Sequence, residues 1–321
     1  MIRFAILGCG YIANRVAKGI EYANNATLYA VASRDEKKAR EYKEKYKAEI
    51  YYTNYEELCK DEKVDCIYIC TPNHLHFEQI QLCFKHHKNV VCEKPMVKDS
   101  KQVKELFTMA KESNCFLMEA HKTCFTPLNK LIKQRVQSGE FGKIISIQAD
   151  YSYDCDGFYA KDSWAMNPLY GGSSYDVGVY PACFCNFMMN SDIKNVNAYP
   201  IRKDGLEADF GMLSLIQYEN GGIGQANSSW MHFTKDKGKA FILCEKGTIE
   251  IPAFWKSNKA IIYKDKKEEK IEVEMKSDFT GEIEEAATCI EKGFLESDIM
   301  GCKESCEIMK VIECANSYRM K

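Results

Sequence analysis

Glu93, Lys94 and Pro95 interrupt an apolar run. The stretch "VVCEKPM" (90–96) begins as a buried strand, then sets a carboxylate, an amine and a rigid imino acid in consecutive positions. A buried strand does not hold such side chains in mid-run. The strand therefore ends there and delivers Lys94 beyond the sheet, with Pro95 fixing the backbone and a candidate for a cis bond. Taken alone, Lys94 is also readable as a solvated surface amine. A second polar pair lies in "GGSSYDVGVYPACF" (171–184). Gly171 and Gly172 make a loop, Ser173 or Ser174 is positioned to cap the following helix, and Asp176 and Tyr180 fall four apart on one helix face. A carboxylate beside a phenol on an otherwise apolar helix suggests a polar pocket wall. A buried tyrosine bonded to a neighbouring aspartate is the plainer alternative.

Two further stretches supply a place for a nucleotide. "GCGYIA" (8–13) follows an apolar run and opens a helix. Gly8 permits the tight turn, Gly10 lets the backbone approach a pyrophosphate, and Ala13 lets helix and strand pack closely. Tyr11 and Ile12 begin the helix, whose N-terminal N–H groups and dipole favour phosphate. The next apolar run ends in "VASRD" (31–35). A site for NAD usually carries a carboxylate here for the ribose hydroxyls. Ser33 and Arg34 stand there instead. A guanidinium pairs with a 2′-phosphate and stacks on adenine, so NADP is favoured, with NAD kept as the alternative. Arg34 is also readable as an exposed helix-start residue, and Asp35 is placed to cap that helix. "TPNHLH" (71–76), with Thr71, Asn73 and His76, ends another strand. Together with Glu93 and Lys94 it marks the strand-end edge where a nicotinamide would lie.

These positions require a particular scaffold. Up to about residue 120, short apolar runs alternate with amphipathic stretches, the pattern of a parallel sheet covered by helices on both faces. Beyond it, longer alternating runs are separated by turn signals such as "YENGGIGQA" and "CEKGTIE", which predicts antiparallel strands. Two helices close the chain, near 281–292 and 303–319. The expected fold class is α/β: a Rossmann doubly wound parallel sheet over 1–120, then an α/β domain with an open, mostly antiparallel sheet over 121–321.

Bulk properties narrow the function. With 321 residues and a net charge of −2, the chain shows no single-sign block that would favour nucleic acid or a membrane surface. No apolar run approaches the ~18–20 residues of a membrane helix. The opening "MIRFAILG" reads as a strand rather than an export signal. The 16 cysteines lack zinc-site spacing and sit in apolar runs, as small buried thiols of a reducing, cytoplasmic compartment. No metal is expected.

Four stretches, "GCGYIA", "TPNHLH", "CEKP" (92–95) and "GGSSYDVGVY" (171–180), together resemble the glucose–fructose oxidoreductase and inositol dehydrogenase (Gfo/Idh/MocA) family, and within it the dimeric dihydrodiol dehydrogenase-like branch. The resemblance covers essentially the whole chain. It implies an NAD(P)-dependent dehydrogenase or reductase acting on a carbinol of a sugar, cyclitol or cyclic diol, dimeric through the open second sheet. It carries the catalytic lysine onto Lys94 and the second-domain aspartate onto Asp176, which would orient Lys94 or bind a substrate hydroxyl. The acid/base position falls on Tyr180, with Lys94 as the rival proton carrier. Asn73 and His76 belong to the loop lining the nicotinamide, and Glu93 supports that loop. Where relatives carry an aromatic and an arginine, "MEAHKTCFTP" (118–127) has Lys122 and Cys124. Lys122 then faces either substrate or a hinge, and His121 is either a packed residue or a ligand. Trp164, Asn167 and Tyr153 complete the candidate substrate wall. A nucleotide sensor without turnover is the alternative, and reduction of an unsaturated non-sugar compound a third.

Overall fold

The computed structural model describes residues 1–156, 159–160, 163–231 and 237–317. It resolves into two compact units, the first comprising Met1–Val97, Lys101–Phe125 and Lys276–Ser305, the second Lys98–Ser100, Thr126–Met275 and Cys306–Lys321.

In the first unit, β1 (Ile2–Leu7), β2 (Ala26–Ala32), β3 (Ile50–Tyr52), β4 (Cys66–Ile69), β5 (Asn89–Glu93) and β6 (Leu117–Ala120) form one sheet in the order β3-β2-β1-β4-β5-β6. All its ladders are parallel. β4 is buried along its whole length, as a strand covered on both faces must be, which is why "CIYI" reads as a continuous apolar run. Helices α1 (Tyr11–Tyr22), α2 (Glu36–Tyr46), α3 (Tyr55–Lys60), α4 (His76–Lys85) and α5 (Ser100–Glu112) intervene between the strands. The chain leaves β1 towards β2 on one side and later returns to build β4 on the other. The carboxyl ends of β1 and β4 are thus the switch point at which such sheets bind ligands.

The second unit contains α6 (Pro127–Gln137), β7 (Ile144–Ser152), α7 (Val179–Met189), β8 (Ile193–Ile201), β9 (Gly211–Tyr218), β10 (Ile223–Ser229), β11 (Lys239–Cys244), β12 (Gly247–Pro252), β13 (Lys259–Lys264) and β14 (Lys267–Glu272). Among the described residues these strands form an eight-stranded sheet, β14-β13-β12-β11-β7-β10-β9-β8, antiparallel except between β7 and β10. α7 packs on β7 and β10, and the strand positions alternate between buried and exposed accordingly. On the open face, Tyr199, Leu213, Leu215, Ile223, Leu243 and Tyr263 are exposed.

One segment departs from the expected division. α8 (Thr280–Glu291), expected with the second domain, packs on α1, β1 and β2 of the first unit. A Cβ at Gly19 would lie 2.7 Å from both Phe279 and Ile283, so the missing side chain is what admits this helix. α9 (Cys302–Asn316) follows it. All 16 cysteines are free thiols, 14 of them buried. No helix among the described residues is long and apolar enough to cross a membrane.

Candidate active site

The first unit carries a nucleotide cradle at its switch point. Gly8 adopts φ +100°, a conformation costly to any residue with a Cβ. A Cβ there would also meet Thr71 Cγ2 at 2.8 Å and the Cys70–Thr71 backbone at 3.2 Å. Gly10 is the N-cap of α1 and offers no side-chain cap to the first turn. Those N–H groups are suited to phosphate oxygens. Tyr11 is 83% exposed beside them and Ile12 is half-buried. The residues present therefore fit a dinucleotide.

At the end of β2, Ser33 is buried and its Oγ accepts the Asp35 N–H at 3.2 Å. Asp35 caps α2, accepting from the Lys38 N–H at 3.2 Å. The acidic residue near this strand end is thus engaged by its own helix. Arg34 is exposed and interacts with Tyr55.

Two loops at the strand ends are clipped together by His76. Its Nε2 lies 2.8 Å from the Thr71 carbonyl and its Nδ1 3.1 Å from the Pro95 carbonyl. The ring is buried, and burial pushes its pKa down against the pull of those carbonyls. Asn73 is buried in the short turn Asn73–Leu75 that leads into α4. On the far side, Glu119 at the end of β6 accepts the Met96 N–H at 2.9 Å. The Lys94–Pro95 bond is cis. Half-buried Lys94 therefore stands on a loop held from both flanks, at the carboxyl end of β5. Glu93 is buried behind it. Burial raises its pKa, opposed by the Lys94 ammonium and by Tyr68, whose O–H lies 3.1 Å from Glu93 Oε1.

Lys122 is placed differently from a substrate contact. It is 3% exposed and its Nζ donates to Asp278 Oδ2 at 2.5 Å, with Arg15 on the same carboxylate. Burial lowers its pKa to about 8 although Asp278 opposes the shift. The paired charges hold Asp278 below the usual carboxylate range against its own burial. His121 is fully buried, its Nε2 3.3 Å from Glu119 Oε1, a packed residue.

In the second unit Asp176 and Tyr180 lie half-buried around one aromatic cluster. The Asp176 Oδ2 accepts the Tyr153 O–H at 2.8 Å, the Tyr159 O–H at 2.9 Å and the Trp230 Nε1–H at 3.2 Å. Tyr180 packs edge-on to Tyr151, with ring centroids 5.4 Å apart, and Tyr151 stacks on Trp255 at 3.7 Å. Residues 174–178 form a π-helical turn rather than the start of an α-helix, so Asp176 and Tyr180 do not share an α-helical face. Neither Ser173 nor Ser174 caps it: Ser174 bonds Asp209 through both its N–H and its hydroxyl, at 2.8 Å each. Gly171 is required, since a Cβ would lie 2.3 Å from the Ala165 carbonyl oxygen. Trp164 meets Tyr159 edge-on, with centroids 6.1 Å apart. Asn167 accepts the Leu169 N–H through its side chain.

Sequence reasoning missed Tyr68, Glu119, Tyr159 and Trp230. A tyrosine inside "CIYI" and a glutamate inside "LMEA" are visible as polar groups in buried runs. Tyr159 and Trp230 lie far from Asp176 in sequence and carry no local signal.

Comparison with known proteins identifies the family. Residues 2–121 match the model of an oxidoreductase family with an NAD-binding Rossmann fold, and residues 130–250 match the GFO/IDH/MocA C-terminal domain. Trans-1,2-dihydrobenzene-1,2-diol dehydrogenase of Xenopus tropicalis is 29% identical over 97% of this chain and 96% of its own. The NADP-dependent scyllo-inositol 2-dehydrogenase IolU of Bacillus subtilis is 31% identical over 98% of this chain and 95% of its own. Among solved structures, the aldose-aldose oxidoreductase of Caulobacter crescentus superposes with a TM-score of 0.88 at 21% identity, covering 99% and 98% of the two chains.

Proposed function

Because the chain belongs to the Gfo/Idh/MocA family of NAD-binding oxidoreductases, we propose that it oxidises or reduces a CH–OH carbon of a sugar, cyclitol or trans-dihydrodiol-like substrate with NADP, in the cytoplasm. The observation that carries this is the doubly clipped loop that presents Lys94 on the same strand-end edge as the Gly8 turn. The bound cofactor supplies the hydride acceptor in oxidation and the donor in reduction. Gly8, Gly10 and the first turn of α1 hold its pyrophosphate, with Tyr11 and Ile12 beside them. Thr71, Asn73, His76 and Glu93 shape its nicotinamide end. Arg34 and Ser33 take the 2′-phosphate, a reading supported by the engagement of Asp35 as a helix cap.

Lys94 donates a hydrogen bond to the substrate oxygen and stabilises negative charge developing there. Tyr180 removes the hydroxyl proton in oxidation and returns it in reduction. Asp176, with one oxygen held by three donors, accepts a substrate hydroxyl. The aromatic side chains around it, Trp164 among them, suit a ring with apolar faces and hydroxyl edges. Asn167 belongs to the same wall. Lys122, buried with Asp278, supports the unit rather than the substrate.

The test is a panel of inositols, aldoses and trans-dihydrodiols with each cofactor, followed by nicotinamide absorbance. We expect turnover with NADP exceeding that with NAD, and a loss of ~10²–10⁴-fold in kcat for Tyr180→Phe and for Lys94→Met. Cofactor binding without turnover of any substrate class, or both variants keeping normal rates, would sink the assignment.

A further inference from the structure

Tyr68 lies between two buried carboxyl groups. Its hydroxyl oxygen is 2.8 Å from Glu282 Oε1 and 3.1 Å from Glu93 Oε1. Tyr68 and Glu282 are fully buried and Glu93 is 7% exposed. A phenol carries one proton and donates to one acceptor, so both contacts are hydrogen bonds only if one carboxyl group is itself protonated. Two ionised carboxylates around a single donor would set like charges together in a buried site, which drives one of them to take a proton.

The surroundings decide which. Glu93 accepts the Lys94 backbone N–H and feels the Lys94 ammonium, which favour its ionised form, whereas Lys122 acts on both carboxyl groups and does not separate them. Glu282 Oε2 has no hydrogen-bond partner among the described residues. A neutral carbonyl oxygen tolerates that far better than a carboxylate oxygen does. The other groups facing the cluster are Cys70 and Cys92 from the neighbouring strand ends and Asp278, itself neutralised by Lys122 and Arg15. In agreement, burial and then the charge of Glu93 push the Glu282 carboxyl well above the glutamate range.

We propose that Glu282 keeps its proton at neutral pH and donates it to Tyr68, that Tyr68 donates to Glu93, and that the carboxylate so held anchors the Lys94 loop from behind. Tyr68 and Glu282 are then positioning residues for the reaction, an inference that rests on the role given to Lys94. The arrangement leaves a single negative charge beside the Lys94 ammonium and places it on a side chain that is anchored from behind.

Infrared spectroscopy tests the shared proton without any substrate. Wild-type protein at neutral pH should show the C=O stretch of a protonated carboxyl, where a free glutamate, titrating near ~4.3, is ionised. The band should vanish in Glu282→Gln and shift in frequency in Tyr68→Phe, which removes the acceptor of that proton. Spectra of wild type and Glu282→Gln that coincide overturn the proposal. If Glu282→Gln does not fold, a band unmoved in Tyr68→Phe overturns it instead. The link to Lys94 is read from steady-state kinetics. Tyr68→Phe takes a donor from Glu93 and leaves Lys94 less firmly placed, so kcat falls by up to ~10²-fold with KM little changed. An unchanged kcat overturns the positioning role. Normal turnover in Lys94→Met, with the infrared results as stated, would instead remove the catalytic role of Lys94 and leave the shared proton standing.

Discussion

Lys122 shows how burial changes what a side chain is for. By type it is a candidate anion binder, yet it is enclosed with Asp278 and Arg15 and packed over the Phe279 ring at 4.8 Å. Its lowered pKa has a consequence for stability. The folded protein loses the Lys122 proton near about 8, and the unfolded chain holds it to ~10.4. Between those values the unfolded state binds more protons, so stability contributed by this group rises with pH. Wild type should therefore gain on Lys122→Met by up to about 3 kcal/mol between pH ~8 and ~10.4, at 1.36 kcal/mol per pKa unit. Denaturant unfolding of both proteins across that range measures it. A constant difference would show that the ammonium stays charged throughout. The residue types at 93–95 and at Asp176 and Tyr180 were legible because polar groups stand out against apolar runs. The neighbours of Asp176 were not, because Tyr159 and Trp230 reach it only through tertiary packing.

Among the elements, the β1–α1 turn is the most constrained by its glycine. Gly8→Ala meets both the positive φ and the Thr71 methyl at 2.8 Å, a strain of about 1–3 kcal/mol. We expect it to weaken NADPH binding at least tenfold in a fluorescence titration. Gly205→Ala is the control, with φ +74° and nothing within 4 Å of the added Cβ. It should lower the melting temperature slightly and leave binding unchanged. Equal binding in the two variants would mean that the Gly8 turn does not hold the nucleotide. This element was readable because strand, glycine turn and helix follow in order. The π turn at Ser174–Gly178 was not, since it depends on Asp209 receiving Ser174 from another part of the unit. In the hairpin joining β13 and β14, the tip residues Asp265 and Lys266 take the positive φ of such turns.

For the whole molecule, the exposed apolar face of the eight-stranded sheet bears on assembly. Tyr199 and Leu213 are direct cross-strand partners on it, and Leu215, Ile223 and Leu243 extend the patch. The dimer that the family resemblance implies is tested at this face, where an interface of the usual size buries ~800 Å² per partner. Sedimentation equilibrium should give a dimer for wild type and a monomer for Leu213→Asp combined with Leu215→Lys. A monomeric wild type at micromolar concentration would refute it. The alternation of buried and exposed residues made the sheet legible in the sequence. The allegiance of 276–305 was not, because what ties α8 to α1 and β4 is an absent side chain at Gly19 and a phenol at Tyr68, each more than 200 residues away.

That allegiance governs the order in which the protein can be completed. Chains emerging from the ribosome usually fold their N-terminal domain first. Here the nucleotide-binding unit is completed by α8, which follows nearly the entire second unit in the chain. A nascent chain ending at residue 275 carries the parallel sheet with the α1 groove at Gly19 uncovered and Tyr68 without Glu282. Its apolar surface stays uncovered until residues 276–305 follow.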